Sequence, residues 1–240
     1  MTQIDAEGKH FRLLNDEVRR SKEAEIEIQN CLGQRYLGAG MSGKSLLIHG
    51  VPGNDLGCYL NGGTIQVEGN AQDQTGDTMN AGAIVINGST GDAAGYAMRG
   101  GKIFIRNDAG YRVGIHMKAY QKHQPLIVVG GETGSFLGEY QAGGTIIVLG
   151  LDSAHAPMGN FCCAGMHGGR VFIRCKELPD DLPKQVNTTV ASPKDLDSIS
   201  GYLTDFCNTF GVARQKVLSE RFYLITPNTK NPYKELYTFY

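Results

Sequence analysis

The sequence has no tryptophan and only eight prolines, and aromatic residues make up 8% of the chain. It also has no block of one charge, since 23 basic and 24 acidic side chains give a formal net charge of −1. This balance argues against nucleic acid or an anionic membrane as a partner. No apolar run approaches the roughly 20 residues that a membrane span requires, and residues 1–14 lack the apolar core of a signal peptide. The sequence therefore predicts a cytoplasmic protein.

The cysteines do not form the spacing of a metal or redox motif. None of the six forms a C-x-x-C pair, so in a cytosolic chain they should stay reduced and pack as small apolar residues. One region concentrates possible ligands, but its spacings match no compact ligand pair. These residues are His155, Cys162, Cys163, His167 and Cys175. We predict no metal site there.

Glycine is the residue in excess, at 33 of 240 positions, about twice the usual ~7%. Two columns of residues recur every 19 positions. The first comprises Gly38, Gly57, Gly76, Gly95 and Gly114, and the second comprises Gly50, Gly69, Gly88 and Asn107. A fixed period of this length indicates repeated units that stack on one another.

Each unit contains one short strand, in which alternate side chains face the same way. With insertions, the second glycine column continues to Gly130, Gly150 and Cys175, in steps of 23, 20 and 25 from position 107. Two aliphatic columns precede it and should form ladders inside the molecule. They are Leu46, Ile65, Ile84, Ile103, Leu126, Ile146 and Val171, and Ile48, Val67, Ile86, Ile105, Val128, Val148 and Ile173. A third apolar column comprises Met41, Leu60, Met79, Met98 and Met166.

The predicted fold is mainly β, a single-stranded right-handed parallel β-helix with 19-residue rungs. The right-handed sense follows from the strong preference of parallel strands for right-handed crossovers. A left-handed β-helix made of hexapeptides is the nearest alternative, but a 19-residue step is not a multiple of six.

The repeat divides the chain into three predicted regions. Residues 1–24 form an N-terminal cap with a helix over 13–24, and residues 25–176 form the β-helix, which opens with a partial rung at 25–30. Residues 177–240 form a C-terminal extension that contains a helix. Ser192 and Pro193 suit the N-cap and first position of that helix, and Gly211 suits its end. A strand at 222–226 and an aromatic tail at 231–240 follow.

A segment of the first unit matches the phosphate-binding P-loop pattern G-x-x-x-x-G-K-[ST]. It runs from Gly38 to Ser45 and includes Lys44. A P-loop works only between a strand and a helix, so that a helix N-terminus meets the phosphates. Here an apolar strand follows Ser45, so we predict a corner of the repeat and no nucleotide site.

The two insertions are the best candidates for binding, because long loops on a rigid scaffold are where binding concentrates. One is 118–124 and the other is 152–160. The first supplies Lys118, Tyr120, Lys122 and His123, a basic and partly aromatic tip that suits an interface.

The repeated pattern resembles a known domain, above all at Met158-Gly-Asn-Phe-Cys-Cys-Ala-Gly-Met-His-Gly-Gly169. It is similar to the C-terminal GXGXG domain of the glutamate synthase large subunit, and one of the subunits of formylmethanofuran dehydrogenase shares this domain. The resemblance covers about residues 25–176. The stretch 203–240, with Phe210-Gly-Val and Asn231-Pro-Tyr, is similar to the separate GXGXG subunit of split glutamate synthase-like systems, including N-methylglutamate synthase.

The resemblance implies a non-catalytic structural subunit of a glutamate synthase-like oxidoreductase. Its partners would be a glutamine amidotransferase subunit and an FMN and iron–sulfur synthase subunit. A scaffold subunit of formylmethanofuran dehydrogenase is the alternative, and a free-standing P-loop nucleotidase or β-helix carbohydrate enzyme is a further one. The resemblance transfers no catalytic, cofactor-binding or metal-binding residue to this chain, and we predict no bound cofactor.

Overall fold

The computed structural model describes residues 2–228, and over this range the protein is mainly β with three helices. The elements are β1 (Thr2–Asp5), α1 (Phe11–Arg20), β2 (Glu25–Leu32), β3 (Ser45–Val51), β4 (Asn61–Glu68), β5 (Ala81–Ile86), β6 (Lys102–Ile105), β7 (Leu126–Val129), β8 (Ala142–Val148), β9 (Gly168–Arg174), β10 (Val186–Val190), α2 (Pro193–Phe210), α3 (Arg214–Leu218) and β11 (Phe222–Pro227). The predicted aromatic tail at 231–240 lies outside the described residues. Within that range, no helix has the length and apolar character to cross a membrane.

The strands of the described chain form one sheet of eleven, in the order β1 to β9, then β11 and β10. Strands β1 to β9 pair in parallel, each with the strand before it in sequence. Strand β11 lies antiparallel to both β9 and β10. The direct partners Ser45, Thr64, Ala83 and Lys102 are successively 19 residues apart. The period of the sequence therefore places equivalent residues side by side.

The aliphatic columns form the main core on one face of the sheet. Ile65, Ile84 and Ile103 are fully buried neighbours there, as are Val67 and Ile86 in the second column. The glycines make this packing possible. A β-carbon on Gly57 would lie 2.7 Å from Cδ1 of Ile84, closer than two carbon atoms approach without overlap.

The predicted register of strand β7 is wrong by one residue. Leu126 and Val128 were assigned to the inner columns, but Ile127 is the partner of Ile103, and Val129 is the second inner residue. Leu126 and Val128 face the opposite side and pack beneath α2. All four residues are buried because β7 is covered on both faces, so no alternation marks its inner side. The inner step into β7 is therefore 24 residues and the next is 19, which moves the closing position from Gly130 to its neighbour.

The N-terminal region contains a strand that the sequence did not predict. Strand β1 extends the parallel sheet beyond β2, and β2 itself confirms the predicted partial rung. Helix α1 begins and ends earlier than the predicted helix at 13–24. Its Leu14 and Val18 are buried in the main core, so the helix closes one end of the stack.

The C-terminal helix is confirmed at both of its ends. The Ser192 hydroxyl accepts from the backbone N–H of Asp195, and the Asp195 carboxylate accepts from the backbone N–H of Ser192. Gly211 has φ 65°, the left-handed conformation expected after a helix. Helix α2 packs on the outer sheet face, where the rings of Phe206 and Phe104 are 6.0 Å apart. Strand β11 is also confirmed, whereas β10 was not predicted.

Candidate interaction surface

A six-residue corner precedes each strand from β3 to β9. The corners are 35–40, 54–59, 73–78, 92–97, 111–116, 135–140 and 160–165, and together we call them the corner edge. In every corner the second, fourth and sixth residues have positive φ. The fourth is glycine in six corners and Cys163 in the seventh. The second and sixth residues are mostly not glycine, so a row of side chains is presented along one side of the molecule.

The last three corners carry stacked rings. The guanidinium of Arg112 lies 4.7 Å from the ring centroid of Phe136, which stacks on Phe161 at 5.1 Å and 22°. A second stack joins His116 and Tyr140 at 5.1 Å and 10°. Phe161 is 60% exposed although it is a large apolar side chain. Exposed aromatic rings that are already held in place are well suited to anchor a protein interface.

The first insertion is a small exposed hairpin. Tyr120 and His123 exchange two backbone hydrogen bonds, N to O, of 3.1 and 2.9 Å. The side chains from Gln121 to Gln124 are exposed, as are Lys118 and Tyr120. The turn has a fixed shape and projects basic and aromatic groups, as its composition suggested.

The second insertion forms one wall of a groove of about 690 Å³. The other wall is the chain that follows β9, at 176–182. Apolar groups line the groove, including Met158, Phe161 and Leu178, and acidic groups lie along it, including Glu177 and Asp180. The start of the insertion is tied down, because Asp152 accepts from Nζ of Lys216 at 2.7 Å, and the hydroxyl of Ser153 donates to Glu132 at 2.5 Å.

The structure does not bring the two insertions together. Residues 118–124 lead into β7 and lie at its amino end, whereas residues 152–160 follow β8 and begin at its carboxyl end. Because β7 and β8 are parallel neighbours, these ends are at opposite edges of the sheet. The second insertion and the groove instead adjoin the corner edge, since Phe161 belongs to both.

The P-loop-like segment holds a helix rather than a phosphate. Nζ of Lys44 donates to the carbonyl oxygens of Val18, Arg19 and Ser21 at 2.8, 3.2 and 2.7 Å. These carbonyls belong to the C-terminal end of α1, where a cation is favourable. A lysine ammonium has three N–H donors, so all three are engaged. Strand β3 then begins at Ser45, as the sequence predicted.

All six cysteines are buried free thiols, which confirms their predicted packing role. Burial raises the pKa of Cys31, Cys58 and Cys175 to about 11, so these thiols stay protonated. Cys162 and Cys163 have sulfur atoms 3.5 Å apart, and this hydrogen bond, together with burial, holds the pKa of Cys163 well above its usual value. Between residues 2 and 228, no group of three potential metal ligands comes together.

Comparison with known proteins places this architecture. The model of a family described by its GXGXG motif matches residues 9–229. The chain belongs to the GXGXG family. Left-handed backbone at every second corner residue suits a G-x-G-x-G spacing, because glycine takes this conformation without strain.

The GXGXG chain has relatives of nearly its own length. An uncharacterised protein of Methanocaldococcus jannaschii is 41% identical over 249 residues, which cover 98% of this chain and 95% of that protein. A chain from the crystal structure of the formyltransferase/hydrolase complex (FhcABCD) of Methylorubrum extorquens, in complex with methylofuran, matches with a TM-score of 0.64 and 22% identity. That match covers 94% of this chain and 96% of the other, so the two share a fold over nearly their whole length.

The sequence analysis missed the corner edge of the GXGXG units. Arg112, Phe136 and Phe161 occupy the same corner position, but insertions separate them by 24 and 25 residues rather than 19. Aligning the corners, instead of the closing glycines, would have placed the three in one column.

Proposed function

We propose that this chain is a non-catalytic scaffold subunit of a multi-subunit enzyme complex of the formylmethanofuran dehydrogenase type. The observation that carries the proposal is the nearly complete match to one chain of the FhcABCD complex. A match of this extent fits a whole subunit rather than a domain fused to an enzyme. The complex would place the chain in the cytoplasm.

The proposal includes a finer description of the fold. The repeat units form a right-handed parallel β-helix at 25–176, between a cap at 1–24 and an extension at 177–240. A second line of parallel bridges supports it, through Ala71, Thr90, Ala109, Thr133 and Met158. Neighbouring units are thus hydrogen-bonded at more than one side of each turn, as a stacked coil requires.

A glutamate synthase-type complex is the second candidate. It is favoured by the sequence of the last corner and by the stretch from Phe210 onward, which resembles the separate GXGXG subunit of split glutamate synthase-like systems. Its partners would be an amidotransferase and an FMN and iron–sulfur subunit.

Affinity purification of the tagged chain from its native source, followed by mass spectrometry, separates the two candidates. Formyltransferase- or hydrolase-type partners in fixed stoichiometry support the first, and an amidotransferase with a flavoprotein supports the second. The chain purified alone should show no flavin absorbance and no glutaminase activity. A monodisperse chain with no partner, or one with catalytic turnover alone, would contradict the scaffold role.

The hairpin gives a sharper test of assembly. Deleting residues 119–123 shortens the 24-residue step to the regular 19, and we expect the fold to persist while partner binding weakens. The triple variant Lys118→Ala, Tyr120→Ala and Lys122→Ala is the control that keeps the backbone. Unchanged binding by both variants, with unchanged melting, would mean that the hairpin is only a surface loop.

A further inference from the structure

The middle of the corner edge combines tyrosine rings and aspartates. Tyr59, Tyr96 and Tyr111 are 56%, 38% and 54% exposed. The second, third and fourth corners read NDLGCY, DQTGDT and DAAGYA, and their charged residues are four aspartates, with no lysine or arginine. We call this surface the acidic tyrosine strip; it comprises Asp55, Tyr59, Asp73, Asp77, Asp92, Tyr96 and Tyr111.

Backbone hydrogen bonds join the residues of the strip. The N–H of Tyr59 donates to the carbonyl of Asp77 at 2.8 Å, and the N–H of Asp55 donates to that of Asp73 at 3.0 Å. Side chains continue the ladder, since Oδ1 of Asp73 accepts from the N–H of Asp92 at 2.9 Å. The rings and carboxylates therefore stand on a rigid support.

Negative charge is crowded on this support. Burial, followed by the neighbouring charge of Asp77, raises the pKa of Asp55. The nearest arginine on the far side is engaged elsewhere, because Nε of Arg112 lies 3.2 Å from Glu139.

The side chains are kept where glycine would be easier for the backbone. Tyr59 and Asp55 have φ of 56° and 64°, and Gly40 and Gly165 occupy the position of Tyr59 in other corners. A left-handed tyrosine is strained relative to glycine, and such strain concentrates at functional positions. The fold alone does not explain why a tyrosine stands there.

We infer that the acidic tyrosine strip docks a segment of a partner subunit that carries exposed lysine or arginine side chains. Carboxylates pair with these cations, and tyrosine faces attract them through cation–π contacts. Charge complementarity of this kind steers association and selects the partner. The inference rests on the proposed scaffold role and assigns one surface to it.

Zero-length carbodiimide cross-linking of the complex purified from its native source tests the contact directly. It joins a carboxylate to a lysine amine in contact with it. We expect cross-linked peptides that join Asp55 or Asp77 to a lysine of a partner subunit. Cross-links from these aspartates to Lys118 or Lys122 of a second copy would instead assign the strip to self-association and overturn the inference.

A variant series measures the contribution to binding. Asp55→Asn with Asp77→Asn removes charge but keeps an acceptor oxygen on each side chain. Association with the isolated partner subunits should weaken about tenfold at 0.1 M salt and lose part of its salt dependence. Tyr59→Ala should weaken it further. The matched control is Asp197→Asn with Asp205→Asn, which removes two exposed carboxylates from α2.

The outcomes separate this inference from the scaffold role. Equal affinity of the strip and control variants, together with no cross-link from the strip, would overturn the inference while an intact complex upholds the scaffold. A chain that captures no partner would overturn both.

Discussion

The glycine column makes a quantitative prediction at Gly95. Its φ is 71°, and a β-carbon there would lie 2.3 Å from Cδ1 of Ile127. Gly40 is the matched control, since its φ is 63° and a β-carbon there meets no atom within 4 Å. Gly40→Ala should therefore cost only the left-handed strain, about 1 kcal/mol. Gly95→Ala should add overpacking of roughly 1–3 kcal/mol, for a total of about 2–4 kcal/mol, because Ile127 is fully buried and has no space to turn into.

The cause of that cost can be isolated with a second substitution. Ile127→Val removes Cδ1, and by itself should cost about 0.5–1.5 kcal/mol. The next atom of Ile127 is 3.4 Å from the added methyl group, an ordinary contact, so the double variant should recover roughly 1–2 kcal/mol relative to the sum of the two single variants.

Urea denaturation with an unchanged m-value is the assay. Leu126→Val is the control, because the revised register turns Leu126 away from Gly95 and it should give no recovery. Equal costs for Gly95→Ala and Gly40→Ala, or rescue by Leu126→Val, would refute both the packing argument and the register of β7.

Further substitutions test the core, the cap of α1 and the cap of α2. Ile86→Asp should give insoluble protein, because an unpaired carboxylate buried among aliphatic side chains costs several kcal/mol, whereas exposed Gln66→Asp should stay soluble; an unchanged Tm for Ile86→Asp would mean that the inner column is misassigned. Lys44→Met should lower stability by about 1–3 kcal/mol through loss of its bonds to α1, and calorimetry should detect no ATP binding before or after the change; nucleotide binding that disappears in Lys44→Met would restore the P-loop interpretation. Hydrogen bonds from Ser192 lower the pKa of Asp195 below 3.8, so its ionised form adds stability above that pH and loses it as pH falls through the lowered pKa. The stability difference between the wild type and Asp195→Asn should therefore vanish in acid titrations, and a constant difference would contradict this linkage.

The sequence revealed the repeat because the interior of the stack repeats one requirement. Glycine and isoleucine must recur together wherever one unit packs on the next, so the columns through Ile103 were assigned correctly. The pattern failed at β7, where α2 covers the outer face and makes Leu126 and Val128 apolar as well. Helix α2 was recognised from its own caps, but its position over β7 depends on contacts distant in sequence.

Two residues of the inner Met/Leu column were also missed. Met117 and Gln141 continue it, and both are fully buried. The insertion at 118–124 hides the first from a strict 19-residue count. The second is polar, and its amide N–H₂ donates to the carbonyl oxygens of Gly143 and Gly144. Strand β1 was missed because four residues carry too little alternation to be recognised. The corner edge was missed because its residues share a backbone conformation rather than a residue type.

Cys163 sets the length of the array. In each of the first five corners, the absent β-carbon of a glycine leaves a socket for the δ-methyl of the isoleucine in the following unit. The last corner fills that socket with a thiol, and antiparallel β11 takes the place of another parallel strand. A further 19-residue module therefore fits between two earlier units but has no seat behind the last one. The same side chain denies a seat to the first unit of another molecule, so one β-carbon both counts the modules and stops end-to-end growth.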